Sequence, residues 1–277
     1  RALRIASTPL SSQSGGIQRS LYESFCLSFL TQLDTVSSQL VESMIVKNII
    51  GSEAFRKVEI PKPSQGEFEK IDDYWISKGS QQLFTDPNYI LTPSISRNLR
   101  DLARIISIGQ FYPILIQGET SVGKTSLIKY LAQRSGNLCL RVNNHEHTDL
   151  QEYVGSYTAD ENGKLAFKEG VLVQAMRNGF WIILDELNLA STEVLESLNR
   201  VLDDNRELFI PETQEVVKAH PKFLLFATQN PPGHYGGRKV LSRAFRNRFI
   251  ELHFDEITSK ELETILHKKC FIPLSYS

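Results

Sequence analysis

The chain has 277 residues, enough for one large domain or two smaller ones with a substantial core. Apolar residues make up 41% and charged residues 23%, ordinary values for a globular protein. A formal net charge of −1 and a pI of about 6.7 lack the basic excess of a protein that grips nucleic acid nonspecifically, while leaving room for a local basic patch.

Cys26, Cys139 and Cys270 are far apart, and neither CxxC nor Cys/His spacing suggests zinc. Buried thiols in a reducing compartment are expected. No apolar run approaches the ~20 residues needed to span a bilayer, and no secretory signal is visible. The chain opens Arg-Ala-Leu-Arg and breaks off inside a helical pattern, so a piece of something longer is expected.

Four zones follow in chain order. Over 1–50, Leu21, Phe25, Phe29 and Leu33, then Leu40, Met44 and Ile45, predict two amphipathic helices, entered near Ser14-Gly15-Gly16. Over 51–84, Pro61, Pro63, Gly66 and Gly79 among mixed charges predict an irregular connector. Over 85–257, short apolar runs alternate with helical patterns. The runs are Tyr112 to Ile116, Leu138 to Val142, Trp181 to Leu184, Phe223 to Ala227 and Phe249 to Phe254. That alternation predicts a mainly parallel sheet between helices. From 258 to 277 a further helix is expected, capped by Ser259 and carrying Leu262, Ile265 and Leu266.

The first predicted strand runs into Gly118-Glu119-Thr120-Ser121-Val122-Gly123-Lys124-Thr125, continued by Ser126. A triphosphate needs backbone N–H groups turned inward, and Gly118 and Gly123 permit the close approach and the φ/ψ this requires. The following helix aims its positive end at the phosphates. Lys124 would reach the β- and γ-phosphates of ATP, and the Thr125 hydroxyl would ligate Mg2+.

Trp181-Ile182-Ile183-Leu184-Asp185-Glu186 is an apolar strand ending in two acids. Asp185 would hold Mg2+, and Glu186, one residue on and facing another way, would polarise the attacking water. The fourth run ends at Gln229-Asn230-Pro231, where the neutral Asn230 amide would orient that water. Arg248, with Arg246 and Arg243 as substitutes, precedes the fifth run. From there an arginine would stabilise transition-state charge in a neighbour's site. Two alternatives stay open for these arginines: a solvated face, or, with Arg238 and Lys239, a nucleic-acid patch.

Taken in order, these motifs resemble the AAA+ ATPases. The stretch from about Ile90 to Ile272 looks like a ring module of the midasin family. The sharpest likenesses are the P-loop, Asn143-Asn144-His145-Glu146-His147-Thr148, the strand with Asp185 and Glu186 running on to Ala190, Gly236-Gly237-Arg238-Lys239, and Leu241 to Phe249. The resemblance implies an α/β AAA+ P-loop fold with a five-stranded parallel sheet of order 5-1-4-3-2, Asn230 lying between the P-loop strand and the acidic strand. It implies a metal role for Asp185, a water-activating role for Glu186, a sensor role for Asn230 and a finger role for Arg248. It also implies neighbouring AAA+ modules of one longer chain as partners, in a nuclear ring that removes assembly factors from precursors of the large ribosomal subunit, with no membrane partner and no sequence-specific nucleic-acid binding. Residues 1–50 resemble the end of a preceding lid, 85–257 the large domain, and 258–277 the start of the next lid, whose sensor arginine has no candidate.

Ser156 to Leu165, with an Asn-Gly turn, and Arg206 to Pro221 read as two inserted hairpins, suited to face a pore. His145-Glu146-His147 invites a metal reading, but no partners complete a ligand set, and a polar loop is expected. Cys139 is expected in the core. Three functions compete: an active ATPase, a nucleotide-braced structural module with little turnover, and a MoxR- or McrB-like nucleic-acid motor.

Overall fold

Helix and strand succeed one another much as the apolar spacing dictates. The computed structural model describes residues 17–31, 33, 35–51, 59–108, 112–159, 163–231 and 239–270. In chain order these form α1 (Ile17–Phe29), α2 (Thr35–Ile45) prolonged by a π turn (Val46–Ile50), β1 (Phe68–Ile71), β2 (Tyr74–Ser77), α3 (Pro93–Ser107), β3 (Ile114–Gln117) and α4 (Lys124–Ser135). Next come β4 (Cys139–Asn143), α5 (Leu150–Val154), β5 (Gly155–Ala159), β6 (Leu165–Glu169), α6 (Val171–Asn178) and β7 (Trp181–Asp185). A 3-10 turn (Leu187–Leu189), α7 (Thr192–Leu202), β8 (Glu207–Ile210), β9 (Glu215–Lys218), β10 (Leu224–Gln229), α8 (Arg243–Arg246), β11 (Ile250–His253) and α9 (Ser259–Cys270) complete the series. The expected opening at Ser14-Gly15-Gly16 lies outside the described residues, as do Asn162 of the Asn-Gly turn and Gly236-Gly237-Arg238.

The chain divides into two units. One comprises Phe111–Gln117 and Leu138–Glu251; the other comprises Arg1–Gln110, Gly118–Asn137 and Leu252–Ser277. In the first, β3, β10, β7 and β4 pair in parallel, with Gln117 opposite Gln229, Leu184 opposite Ala227 and Asn143 opposite Asp185. The five-stranded sheet has the order β11-β3-β10-β7-β4, which is the expected 5-1-4-3-2. Both β7 and β10 are buried along their whole length, as central parallel strands should be. Alternation sends Ile182, Leu184, Leu225 and Ala227 to one face, where they cluster with Leu172, Met176, Val194 and Leu198 of α6 and α7. It sends Ile183, Asp185, Phe226 and Thr228 to the other.

Both inserted hairpins are present, β5 with β6 and β8 with β9. They are cross-linked: the Tyr157 hydroxyl donates to the Glu212 carbonyl at 3.3 Å, and Arg177 bridges Glu169 (2.7 Å) and Glu215 (2.6 Å). Cys139 departs from expectation. It sits on the edge strand β4 and is only half-buried.

In the other unit, the stretch read as an irregular connector contains the hairpin β1–β2, with Ile71, Tyr74 and Ile76 buried. The buried face of α1 is also offset from the expected stripe. Tyr22, Cys26 and Leu27 are inside while Phe29 is exposed, because the face also buries the ion pair Arg19–Glu23 at 2.6 Å. Glu23 further accepts from Arg104 (2.8 Å) and from the Tyr74 hydroxyl (3.0 Å), so one carboxylate joins α1, β2 and α3. Helix α9 is capped by Thr258 rather than Ser259. The Thr258 hydroxyl and the Glu261 side chain form a capping box. The Glu261 carboxylate also accepts from the Ser94 N–H (2.7 Å) and hydroxyl (3.0 Å) at the start of α3. The C-terminal end of α4 is closed by the segment after β2: the N–H groups of Gly79, Gln81 and Phe84 donate to the carbonyls of Ser135, Gly136 and Gln133.

Candidate functional site

The loop from Gly118 to Gly123 turns tightly. Ser121 has φ 68° and Gly123 has φ 89°, both left-handed, and Gly123 is the N-cap of α4. A side chain at Gly118 would meet the Phe254 carbonyl oxygen at 2.6 Å, so only glycine fits there. As N-cap, Gly123 gives α4 no side-chain cap of its own. The positive end of the helix is therefore offered to an anion. Lys124 opens the helix, buried, with its ammonium folded back onto the Gly118 (2.8 Å) and Glu119 (2.7 Å) carbonyls. Thr125 is half-buried behind it, while Thr120, Ser121 and Ser126 are exposed. Sequence reasoning passed over Tyr89. Its ring stacks on Tyr130 of α4 at 4.2 Å, and its hydroxyl bonds Ser126. Burial raises the Tyr89 hydroxyl pKa against that bond.

The acids lie in the other unit, at the C-terminal end of β7. Asp185 is buried, its side chain 7% exposed. One carboxylate oxygen, Oδ2, accepts from Arg141 Nη2 at 2.6 Å and Nε at 2.8 Å; the other, Oδ1, accepts from the Thr228 hydroxyl. Glu186 follows with φ 50° and ψ 47°, a conformation that costs a non-glycine residue of order 1–3 kcal/mol and is held by its surroundings. Two groups hold it. The Thr228 oxygen accepts the Glu186 N–H at 3.1 Å, and Asn144 donates its backbone N–H (3.0 Å) and its amide (2.8 Å) to the Asp185 carbonyl. The Tyr153 hydroxyl in turn fixes Asn144 at 2.6 Å. The turn thus aims Asp185 and Glu186 differently.

Asn230 directly follows β10, between the P-loop strand and the acidic strand in sheet order, and is buried. Its carbonyl accepts from the Asn188 amide at 3.1 Å. Arg248 lies on the α7 side, bonded to Asn199 and, at 3.1 Å, to Asp203. Arg246 is paired with Glu251, which also accepts from Gln117 at 2.7 Å, so it serves the sheet interior; Arg243 is exposed. Of the basic-patch alternative, Arg238 lies outside the described residues, and Lys239 is exposed with its ammonium donating to the Ala190 carbonyl at 3.2 Å. His145 is used locally: its N–H goes to Thr148, and its Nδ1 accepts the His147 N–H. Among the described residues no group of three metal-ligating side chains occurs.

Sequence comparisons agree with this geometry. Residues 113–249 match the family model described as AAA domain (dynein-related subfamily), and residues 1–52 match the Midasin AAA lid domain. The chain is 54% identical to Midasin of Dictyostelium discoideum, over 95% of this chain and 5% of that protein. It is 44% identical to Midasin of Giardia intestinalis, over 91% and 6%. An uncharacterized protein of Staphylococcus aureus (strain USA300) is 32% identical over 57% of this chain and 61% of its own length. The chain spans only 5% and 6% of the length of the two Midasin relatives.

Proposed function

The chain belongs to the AAA family as a midasin-like module, and on that premise we propose that it binds ATP with Mg2+ and hydrolyses it. The observation that carries this reading is the P-loop backbone: two left-handed residues, Ser121 and Gly123, ahead of a helix whose N-cap is that glycine. Loop N–H groups and Lys124 hold the phosphates. Thr125 and Asp185 hold the metal. Asp185 fits a cation, because its buried carboxylate already carries a positive partner, Arg141. When bound, the metal neutralises charge on the phosphate oxygens. Glu186 takes the proton of the attacking water, and Asn230 keeps that water oriented. Arg248 supplies charge to an adjacent module's nucleotide, and the neighbour's arginine completes this one.

In the longer chain the module would work in a nuclear ring that strips assembly factors from precursors of the large ribosomal subunit. Glu186→Gln in that full-length protein tests the enzyme reading: ATP binding is retained while turnover and factor release are lost. Unchanged turnover would sink it. A second reading, a module braced by nucleotide with little turnover, draws support from Arg248, which is bonded to Asn199 and Asp203 of its own unit.

A further inference from the structure

We propose that Asn188 is a positioning residue for Asn230: its buried amide fixes the peptide that follows Asn230 and so ties the placement of that side chain to the turn begun by Glu186. The inference rests on the nucleotide reading above, in which Glu186 and Asn230 act on one water. Glu186 is the N-cap of the 3-10 turn Leu187–Leu189, and its carbonyl accepts the Leu189 N–H at 2.9 Å. Asn188 stands in the middle of that turn, 1% exposed. Its Nδ2 donates to the Asn230 carbonyl at 3.1 Å, just past the end of the neighbouring strand β10. Its own carbonyl accepts the Lys239 N–H at 2.9 Å.

The peptide after Asn230 leads into Pro231, which has no N–H. That peptide therefore has a single polar handle, its carbonyl, and the Asn188 amide holds it. Holding the plane sets the ψ of Asn230, already biased toward the extended region by the proline that follows. The frame from which the Asn230 side chain leaves is fixed in this way. The other end of the Asn188 amide carries a cost: Oδ1 is buried and has no hydrogen-bond partner among the described residues. An orphaned acceptor lowers stability, and a leucine of similar size would remove it. Packing alone thus gives no reason for an amide at this position, whereas the donor that reaches Asn230 does.

The test is a double-mutant cycle in steady-state ATP turnover by the full-length protein, with N188L, N230A and N188L/N230A beside the wild type. Thermal unfolding of the 277-residue wild-type and N188L chains accompanies it. N188L should unfold within about 3 °C of the wild type, since the orphaned acceptor leaves together with the donor. It should lower kcat about tenfold with KM unchanged, because it disturbs the handling of water and not the binding of nucleotide. In the N230A background, which lacks the side chain that Asn188 positions, adding N188L should cost nothing further. N188D keeps the size and loses the donor, so it should reproduce the fall in kcat, and it carries the test if N188L does not fold. A wild-type kcat in N188L or N188D, or the same fold-loss with N230A as without it, would overturn the inference and leave a plain structural contact. Equal turnover in N230A and the wild type would instead sink the role given to Asn230 in the nucleotide reading.

Discussion

Thr228 is the smallest group with the largest reach in the acidic half of the site. Its hydroxyl donates to Asp185, and its oxygen accepts the Glu186 N–H. Thr228→Val keeps the shape and removes both bonds, taking one partner each from the part-buried Glu186 N–H and the buried Asp185 carboxylate. A loss of about 1–3 kcal/mol in denaturant unfolding is expected, along with slower ATP turnover. The roles proposed for Lys124, Thr125, Asp185 and Glu186 came from sequence, because phosphate and metal chemistry asks for those residue types at fixed spacing. Thr228, Asn144, Tyr153 and Arg141 could not. They act through the register of β4, β7 and β10, and no local pattern records which strands become neighbours. The order 5-1-4-3-2 came from resemblance, and only with it does Arg141 fall beside Asp185.

At the level of elements, apolar runs found the five sheet strands to within two residues at each end. Charge patterning hid the rest. The hairpin β1–β2 carries Glu69, Lys70, Asp72 and Asp73, and it looked like a connector until Tyr74 was seen to reach Glu23. The offset face of α1 has the same origin, since Arg19 and Glu23 are inside. Arg104→Met should be destabilising, by about 1.5–3 kcal/mol, because it removes one of the two cations that hold the buried Glu23 and leaves it to Arg19 and Tyr74; chemical denaturation measures it. Glu261 supplies a pH signature. Burial pushes its carboxyl up, but the bonds from the Ser94 N–H and hydroxyl, Thr92 and the Thr258 N–H outweigh this and hold it below the ordinary 4.5. A lowered folded-state pKa means that its contribution is full above the ordinary value and is lost as pH falls through the lowered one. Glu261→Gln should therefore flatten the loss of thermal stability on acidification below about pH 5, while lowering stability near neutrality by about 0.5–2 kcal/mol through the lost caps of α3 and α9.

For the whole molecule, the finger assignment sets the expected behaviour. Arg248→Ala should leave ATP affinity of the chain alone unchanged, and in the full-length protein should slow turnover at the adjacent site by about 10^3 or more. Equal turnover in that protein would return the role to the exposed Arg243. The closure of α4 carries a different consequence, one for how the gene can vary. A Cβ at Gly79 would lie 2.0 Å from the Gly136 carbonyl oxygen, and one at Gly136 would lie 2.5 Å from the Gln81 carbonyl oxygen. Gly79 makes room for the backbone of Gly136 and Gly136 for that of Gln81, and three successive main-chain bonds count off the residues between Gly79 and Phe84. That stretch behaves as a ruler. A library of single-codon insertions should be depleted across 79–84 and in the turn at Gly136, yet tolerant at Gly163, where a side chain would meet nothing within 4 Å. Length drift in this lineage would thus collect at a hairpin tip and be barred from a segment that, by composition, looks like its loosest part.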